Sequence, residues 1–294
     1  MSPDLFNLYS EIILRNIEKE KGIQVGGHNV TNIRYADDTV LLAESAEGLQ
    51  KLLDIVVRES KIMGLNINYK KTECLVVAKR GSPKCDLKLG DKDIKQVSSF
   101  NYLGSIITED ARCEKEIKRR IALAKSAFSK LSKLLRNRSL SIRTRMRVLY
   151  CYVHPVLMYG SEAWTITTDM KKRLASCEMW FIRQMMKIKW TDRVSNEEVL
   201  RRATVNQKLL SEIRIRQMRF MGHLVRKGGL ENLSLTGKIE GKRSRGRRRV
   251  LWMDSLMKWL EERGVEEQGV QLVEKARNRE LWNNMIAKVD RYGT

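Results

Sequence analysis

The feature that most constrains this chain is Tyr35-Ala36-Asp37-Asp38, set between two apolar runs. Val30, Ile33 and Tyr35 precede the carboxylates, and Val40, Leu41 and Leu42 come after them. Apolar runs on both sides of a short polar break predict strand, tight turn, strand. Adjacent aspartates repel each other unless something neutralises them, and a hard divalent cation with a taste for oxygen ligands would do so. Asp is also an ordinary turn residue that caps its own backbone, so these four residues alone admit a solvated turn as well.

The order of the next segments separates the two. Ser45 to Met63 reads as one amphipathic helix, with Leu49, Leu52, Leu53, Val56 and Val57 on one face. Ser45 is placed as its N-cap and Gly64 as its left-handed end. Gly64-Leu65-Asn66-Ile67-Asn68-Tyr69-Lys70-Lys71-Thr72-Glu73 then leads into an expected strand, Cys74-Leu75-Val76-Val77. Phe100 to Ile107, containing Tyr102-Leu103-Gly104, reads as a second hairpin.

A carboxylate hairpin, a helix, a lysine-bearing turn and a second hairpin, in that order, resemble the palm of a reverse transcriptase. The match is nearest to the reverse transcriptases of non-LTR (LINE-type) retrotransposons. Tyr35 to Asp38 resembles their metal-binding hairpin, Gly64 to Glu73 the next motif, and Tyr102-Leu103-Gly104 the primer-gripping one. Ser2-Pro3-Asp4-Leu5-Phe6-Asn7-Leu8-Tyr9 resembles the second half of the motif before the hairpin, in which a helix backs the nucleotide site. The resemblance implies two-metal nucleotidyl transfer with Mg²⁺ or Mn²⁺, on an RNA template with a DNA primer and deoxynucleoside triphosphates. It makes Asp37 the direct metal ligand, Asp38 a weaker one and Lys71 a charge or proton source for the leaving group, with Lys70 an open alternative.

One departure accompanies the match. The family's metal site takes a further aspartate from a strand upstream of the Ser-Pro-x-Leu-Phe segment, and here only Met1 stands before Ser2. Asp4 occupies the variable position and is no substitute. The expectation is a chain that starts in mid-palm without fingers and is inactive alone. The alternative is a catalytically silent, transposon-derived nucleic-acid-binding protein.

Charge points to a nucleic-acid partner without the resemblance. Lys and Arg number 57 against 35 Asp and Glu, a formal charge of +22, and such an excess attracts polyanions. Hydrophobic residues make up 42%, enough for a core, and only 3 prolines argue against long linkers. The five cysteines are dispersed without a Cys-x-x-Cys pair and the three histidines are scattered, which disfavours a zinc site and a disulfide framework. No signal-peptide pattern opens the sequence, and no apolar run is long enough for a bilayer. Nucleus or cytoplasm is the expected location.

Beyond residue 110 the pattern is helical. Ile117, Ile121, Ala124, Phe128, Leu131 and Leu135 predict a helix from Cys113 to Asn137, and a second runs from Ser139 to Tyr159 with Pro155 expected to kink or end it. In the family this is the thumb, whose basic helix lies along the duplex; Lys118, Arg119, Lys125, Lys130 and Lys133 are its candidate contacts, beside Tyr102 and Gly104. Further helices are expected over Asp169 to Lys187, from a Ser195-Asn196-Glu197-Glu198 capping box, through Leu209 to Leu224, and as a final pair, Trp252 to Glu262 and Val270 to Val289. A loop at 238–249 carries Arg245, Arg247, Arg248 and Arg249, a charge density suited to phosphate. The fold class is therefore α+β: a partial palm over 1–110, thumb-like basic helices over 111–165 and a helical extension over 166–294.

Overall fold

The computed structural model describes residues 2–78, 81, 83–236, 250–265, 267 and 269–291. These fall into two compact units, 2–102 with 107–111 and 229–236 in the first, and 103–106 with 112–228 and 250–291 in the second. The architecture is mixed, with many helices and small, mostly antiparallel sheets. No helix among the described residues is long and apolar enough to cross a membrane.

The first unit opens with α1 (Ser2–Leu14) and continues through the strand pairs β1 (Ile23–Val25) with β2 (His28–Val30) and β3 (Asn32–Tyr35) with β4 (Asp38–Leu41). Helix α2 (Ala46–Ile62) comes next, then β5 (Glu73–Cys74), β6 (Lys88–Leu89), β7 (Lys92–Asp93), β8 (Lys95–Gln96) and the hairpin of β9 (Ser99–Tyr102) and β10 (Ser105–Thr108). β5 runs parallel to β8, pairing Cys74 with Gln96.

Helix α2 begins and ends as its sequence requires. The Ser45 hydroxyl accepts from the Gly48 amide. At the other end Gly64 stands at φ 74°, its amide donating to the Lys61 carbonyl while the Leu65 amide reaches back to Ser60. This doubly bonded ending needs a left-handed residue, and glycine takes that conformation without a Cβ penalty. The expected single apolar face is in fact shared. Leu52 packs with Ile13, Leu14 and Ile17, while Leu53 packs with Cys74, Leu87 and Ile94. The expected strand over Cys74 to Val77 shrinks to Glu73–Cys74, because only those residues find a partner in β8.

In the second unit the expected helix from Cys113 to Asn137 breaks at Leu131 into α3 (Glu114–Lys130) and α4 (Ser132–Leu135). Next come α5 (Ile142–Val148), a wide turn over Leu149–Val153 and α6 (His154–Leu157). Pro155 has no N–H and its ring crowds the carbonyl four residues earlier, so the i→i+5 turn just before it absorbs the mismatch. Helices α7 (Thr168–Met186), α8 (Asn196–Ala203) and α9 (Leu209–Lys227) complete the middle of the chain.

Helix α10 (Gly229–Thr236) belongs to the first unit, and α11 (Trp252–Glu261), α12 (Gly269–Arg277) and α13 (Arg279–Arg291) return to the second. The expected helix from Val270 to Val289 is thus two, split where the Asn278 side chain accepts from the Glu280 and Leu281 amides and caps α13. Ser195 caps α8 as expected, but Glu198 turns to Arg201 and Arg202, so only half of the capping box forms.

The core joins Phe128, Leu149, Leu174, Phe181 and Ile213 from four elements. Trp180 stands edge-on to Phe128 at 5.3 Å, packed against the core. Gly222 permits the close approach of α9 and α13. A Cβ there would come within 2.4 Å of Trp282 Nε1, which donates to the Met218 carbonyl at 2.9 Å.

Candidate functional site

The register Tyr35↔Asp38 leaves Ala36 and Asp37 as a two-residue loop. Such loops need positive φ at the first central position to match the strand twist, and glycine usually supplies it. Here Ala36 does, at φ 52°. An L residue with a Cβ pays about 1–2 kcal/mol for that region. Asp37 and Asp38 are exposed, and neither side chain has a hydrogen bond or ion pair. On the strand behind them Arg34 is tied to Glu11 of α1 at 2.8 Å, and the Leu42 amide donates to the Thr31 carbonyl. A braced hairpin therefore presents two unneutralised carboxylates at a strained tip.

Their chemistry suits Mg²⁺ or Mn²⁺, which prefer oxygen donors and take one or two carboxylates beside substrate phosphates. The donor type fits, and the donor number is that of part of a site. Among the described residues no three His, Cys, Asp or Glu side chains gather closely enough to hold a metal ion.

Lys70 and Lys71 lie on a tight helical turn, Tyr69–Lys71, started by the Asn68 side chain, which accepts from the Lys70 amide. Tyr69 anchors the turn through its hydroxyl, which donates to the Asp93 carbonyl at 2.8 Å, and Lys92 lies over its ring. Both lysines are exposed, and no ion pair joins either to the carboxylate hairpin.

Tyr102 is linked to that hairpin electrostatically. Its hydroxyl is buried without a hydrogen-bond partner. Burial raises its pKa, and the negative charge of Asp38 adds to the rise. The adjoining turn has Leu103 at φ 47° and Gly104 at φ 76°, the pair of positive angles a two-residue hairpin favours.

The sequence did not reveal how the Leu103–Ile106 turn is held. Glu116 of α3, 3% exposed, accepts from the Ile106 amide at 2.9 Å, from Arg119 Nε at 2.9 Å and from Arg120 Nε at 2.6 Å. Both guanidinium groups also donate to the Gly104 carbonyl. The Tyr159 hydroxyl donates to the Leu103 carbonyl at 2.9 Å, and Arg120 lies 4.2 Å over its ring. Burial alone would raise the Glu116 pKa, but the hydrogen bonds from Arg119, Arg120 and the Ile106 amide outweigh it and hold the carboxyl below its usual range. Glu at i with Arg at i+3 and i+4 was the available signal.

The basic candidates on α3 and α4 differ in how free they are. Lys118 pairs with Glu114 at 2.7 Å, Arg119 is committed to the turn, and Lys125 lies over the Trp180 ring at 5.1 Å. Lys130 and Lys133 are exposed without an ion pair. The loop at 238–249, with Arg245, Arg247, Arg248 and Arg249, lies outside the described residues. All five cysteines are free thiols; Cys74 and Cys177 are buried.

Residues 1–107 match the family model for reverse transcriptase (RNA-dependent DNA polymerase). The chain is 30% identical over 259 residues to an uncharacterized transposon-derived protein of Caenorhabditis elegans, a match covering 83% of this chain and 90% of that protein. It is 36% identical over 123 residues to the retrovirus-related Pol polyprotein from the type-2 retrotransposable element R2DM of Drosophila melanogaster, over 38% of this chain and 11% of the polyprotein. A Pol polyprotein from the type-1 retrotransposable element R2 of Nasonia vitripennis is 29% identical over 116 residues, 36% of this chain and 11% of its own length. The chain thus spans most of the worm protein and about a tenth of either polyprotein.

Proposed function

The chain belongs to the family of non-LTR reverse transcriptases and their relatives, and we propose that it supplies the metal-binding hairpin of an RNA-directed DNA polymerase, as part of a palm followed by thumb-like helices. The observation that carries this reading is the pair Asp37 and Asp38, exposed and unpaired at a strained turn, inside the segment that matches the family model. In this reading Asp37 holds a divalent cation directly, Asp38 holds it more weakly, and the remaining carboxylate comes from outside these residues. Ions bound there would lower the pKa of the primer 3′-hydroxyl and steady the departing pyrophosphate.

The other residues position or bind. Lys71 offers its ammonium to the leaving group, with Lys70 beside it. The Leu103–Gly104 turn, fixed by Glu116 and Arg120, lies against the primer backbone and depends on being rigid. Lys130 and Lys133, with Lys118 and Lys125, track the phosphates of the template–primer duplex. The RNA template, DNA primer and deoxynucleoside triphosphates are those the family implies.

Mn²⁺ added to the isotopically labelled chain should broaden the amide signals of Asp37 and Asp38 by paramagnetic relaxation, and the Asp37→Asn, Asp38→Asn pair should abolish the effect. Broadening that survives the double substitution would overturn the metal assignment. Primer extension on an RNA template by these 294 residues alone should be absent in Mg²⁺ or Mn²⁺. Extension that vanishes on Asp37→Asn would show that the chain closes its own metal site, contrary to the proposal.

A second reading is favoured by the extent of one similarity. The match to the worm transposon-derived protein covers 83% of this chain, far beyond the polymerase segment. A catalytically silent nucleic-acid-binding protein would keep the basic helices for that purpose. It would bind nucleic acid as before but show no Mn²⁺ broadening at the hairpin.

A further inference from the structure

Within the second unit, α5 and α8 and the chain just after α8 enclose a cleft of about 930 Å³. Its floor is apolar, with Met146, Leu200 and Val205, and Tyr150 lines it with a half-buried ring. Arg143, Arg147 and Lys208 stand around it, and none of their side chains has a hydrogen bond or ion pair. Arg201 also lines the cleft, but its guanidinium is spent on Glu198 through bonds of 2.7 and 2.8 Å. Glu197 is the single carboxylate of the lining, so the uncommitted charge is positive.

The backbone adds an independent observation at the same place. Thr204, which lines the cleft, ends α8 at φ 52°. Its amide donates to the Arg201 carbonyl and the Val205 amide to Leu200, the doubly bonded ending that glycine normally completes. A β-branched residue at that angle is an outlier, at a cost of about 1–3 kcal/mol, and such strain gathers where a chain clamps a ligand.

From these features we infer that the cleft binds single-stranded nucleic acid, separately from the carboxylate hairpin. Free cations along a groove track a phosphate backbone, and an apolar floor with an aromatic ring receives the faces of unpaired bases. A duplex offers the same phosphates but hides those faces, so it fills the floor poorly. The volume is at the upper end for pockets that enclose small ligands.

The test uses the whole chain and a fluorescein-labelled octauridylate, with a hairpin duplex of equal charge as competitor. The wild type should prefer the single strand. Combined Arg143→Ala, Arg147→Ala and Lys208→Ala substitution should weaken single-strand binding at least tenfold, flatten its salt slope by about 2, and remove the preference. Lys172→Ala, at an exposed position on α7, should leave the preference intact. Because a triple variant could be misfolded, 4-thiouridine crosslinking of the wild type provides a second measurement. The crosslinked peptides should contain residues 142–150 or 200–208. Crosslinks mapping elsewhere, equal losses for duplex and single strand, or an unaltered affinity in the triple variant would each overturn the inference. The Mn²⁺ measurement at Asp37 decides the polymerase reading separately, so the two fail independently.

Discussion

Removing Glu116 tests whether the Leu103–Ile106 turn is held by charge in the way the structure indicates. Glu116→Ala deletes an acceptor for the Ile106 amide, Arg119 and Arg120 at once. The Arg120 side chain, 9% exposed, keeps only the Gly104 carbonyl and the Tyr159 ring. Breaking a buried ion pair on one side costs about 3–5 kcal/mol. Arg119 is 29% exposed and recovers water, which places the expected loss at the low end, about 3 kcal/mol. For a unit of this size that lowers Tm by about 6–12 °C. All six tryptophans lie in the second unit, so intrinsic fluorescence reports on that unit without a label. Glu116→Gln still accepts from the Ile106 amide and should lose about half as much.

Acid supplies the sign. A carboxyl with a depressed folded pKa contributes stability above its ordinary value and loses it as pH falls through the folded one. The gap between wild type and Glu116→Ala should therefore be full at neutral pH and close below about 4.5, the ordinary glutamate value. The exposed Glu197→Gln is the control. A Glu116→Ala midpoint within about 2 °C of that control, or a gap that persists unchanged into strong acid, would refute the ion-pair account.

Three other substitutions probe single positions. Ala36→Gly removes the Cβ from a φ of 52° and should stabilise the carboxylate hairpin by about 0.5–1 kcal/mol after the added chain entropy is subtracted, read as slower hydrogen exchange at Thr39 and Val40. Gly222→Ala gains about 1 kcal/mol of helix propensity but pushes a methyl into Trp282, so a net loss of about 1–2 kcal/mol and a shifted tryptophan emission are expected. Glu178→Gln tests the opposite pKa shift: burial raises the Glu178 carboxyl although the Lys208 and Leu209 amides donate to it. The charge penalty exists above its folded pKa and disappears below the unfolded one, so the variant should match or exceed wild-type stability at neutral pH and lose that advantage in acid.

The features legible in the sequence were local. Ser45, Gly64 and the Asp37-Asp38 turn each act on backbone within four residues, and each stands where its chemistry requires. Non-local partners were not legible. Arg119 and Lys125 looked like free cations on a helix surface, because a sequence records charge but not the counter-group that folding supplies. Here those counter-groups are Glu116 with the Gly104 carbonyl, and the face of Trp180. The strand beyond Cys74 failed for a related reason, since an apolar run becomes a strand only where another edge meets it.

The positive charge of this chain has to be counted in the same way. A net +22 describes attraction at a distance, whereas phosphate contact requires cations that folding leaves unpaired. Near the start of α3, Arg119 and Arg120 are taken up by the buried Glu116, while Lys118 pairs with Glu114 at the surface. The cations whose side chains have no hydrogen bond or ion pair include Lys130 at the end of α3, Lys133 on α4, and Arg143, Arg147 and Lys208 around an apolar cleft. The first part of α3 therefore braces the Leu103–Ile106 turn, and in the proposed reading nucleic-acid contact falls to residues after it.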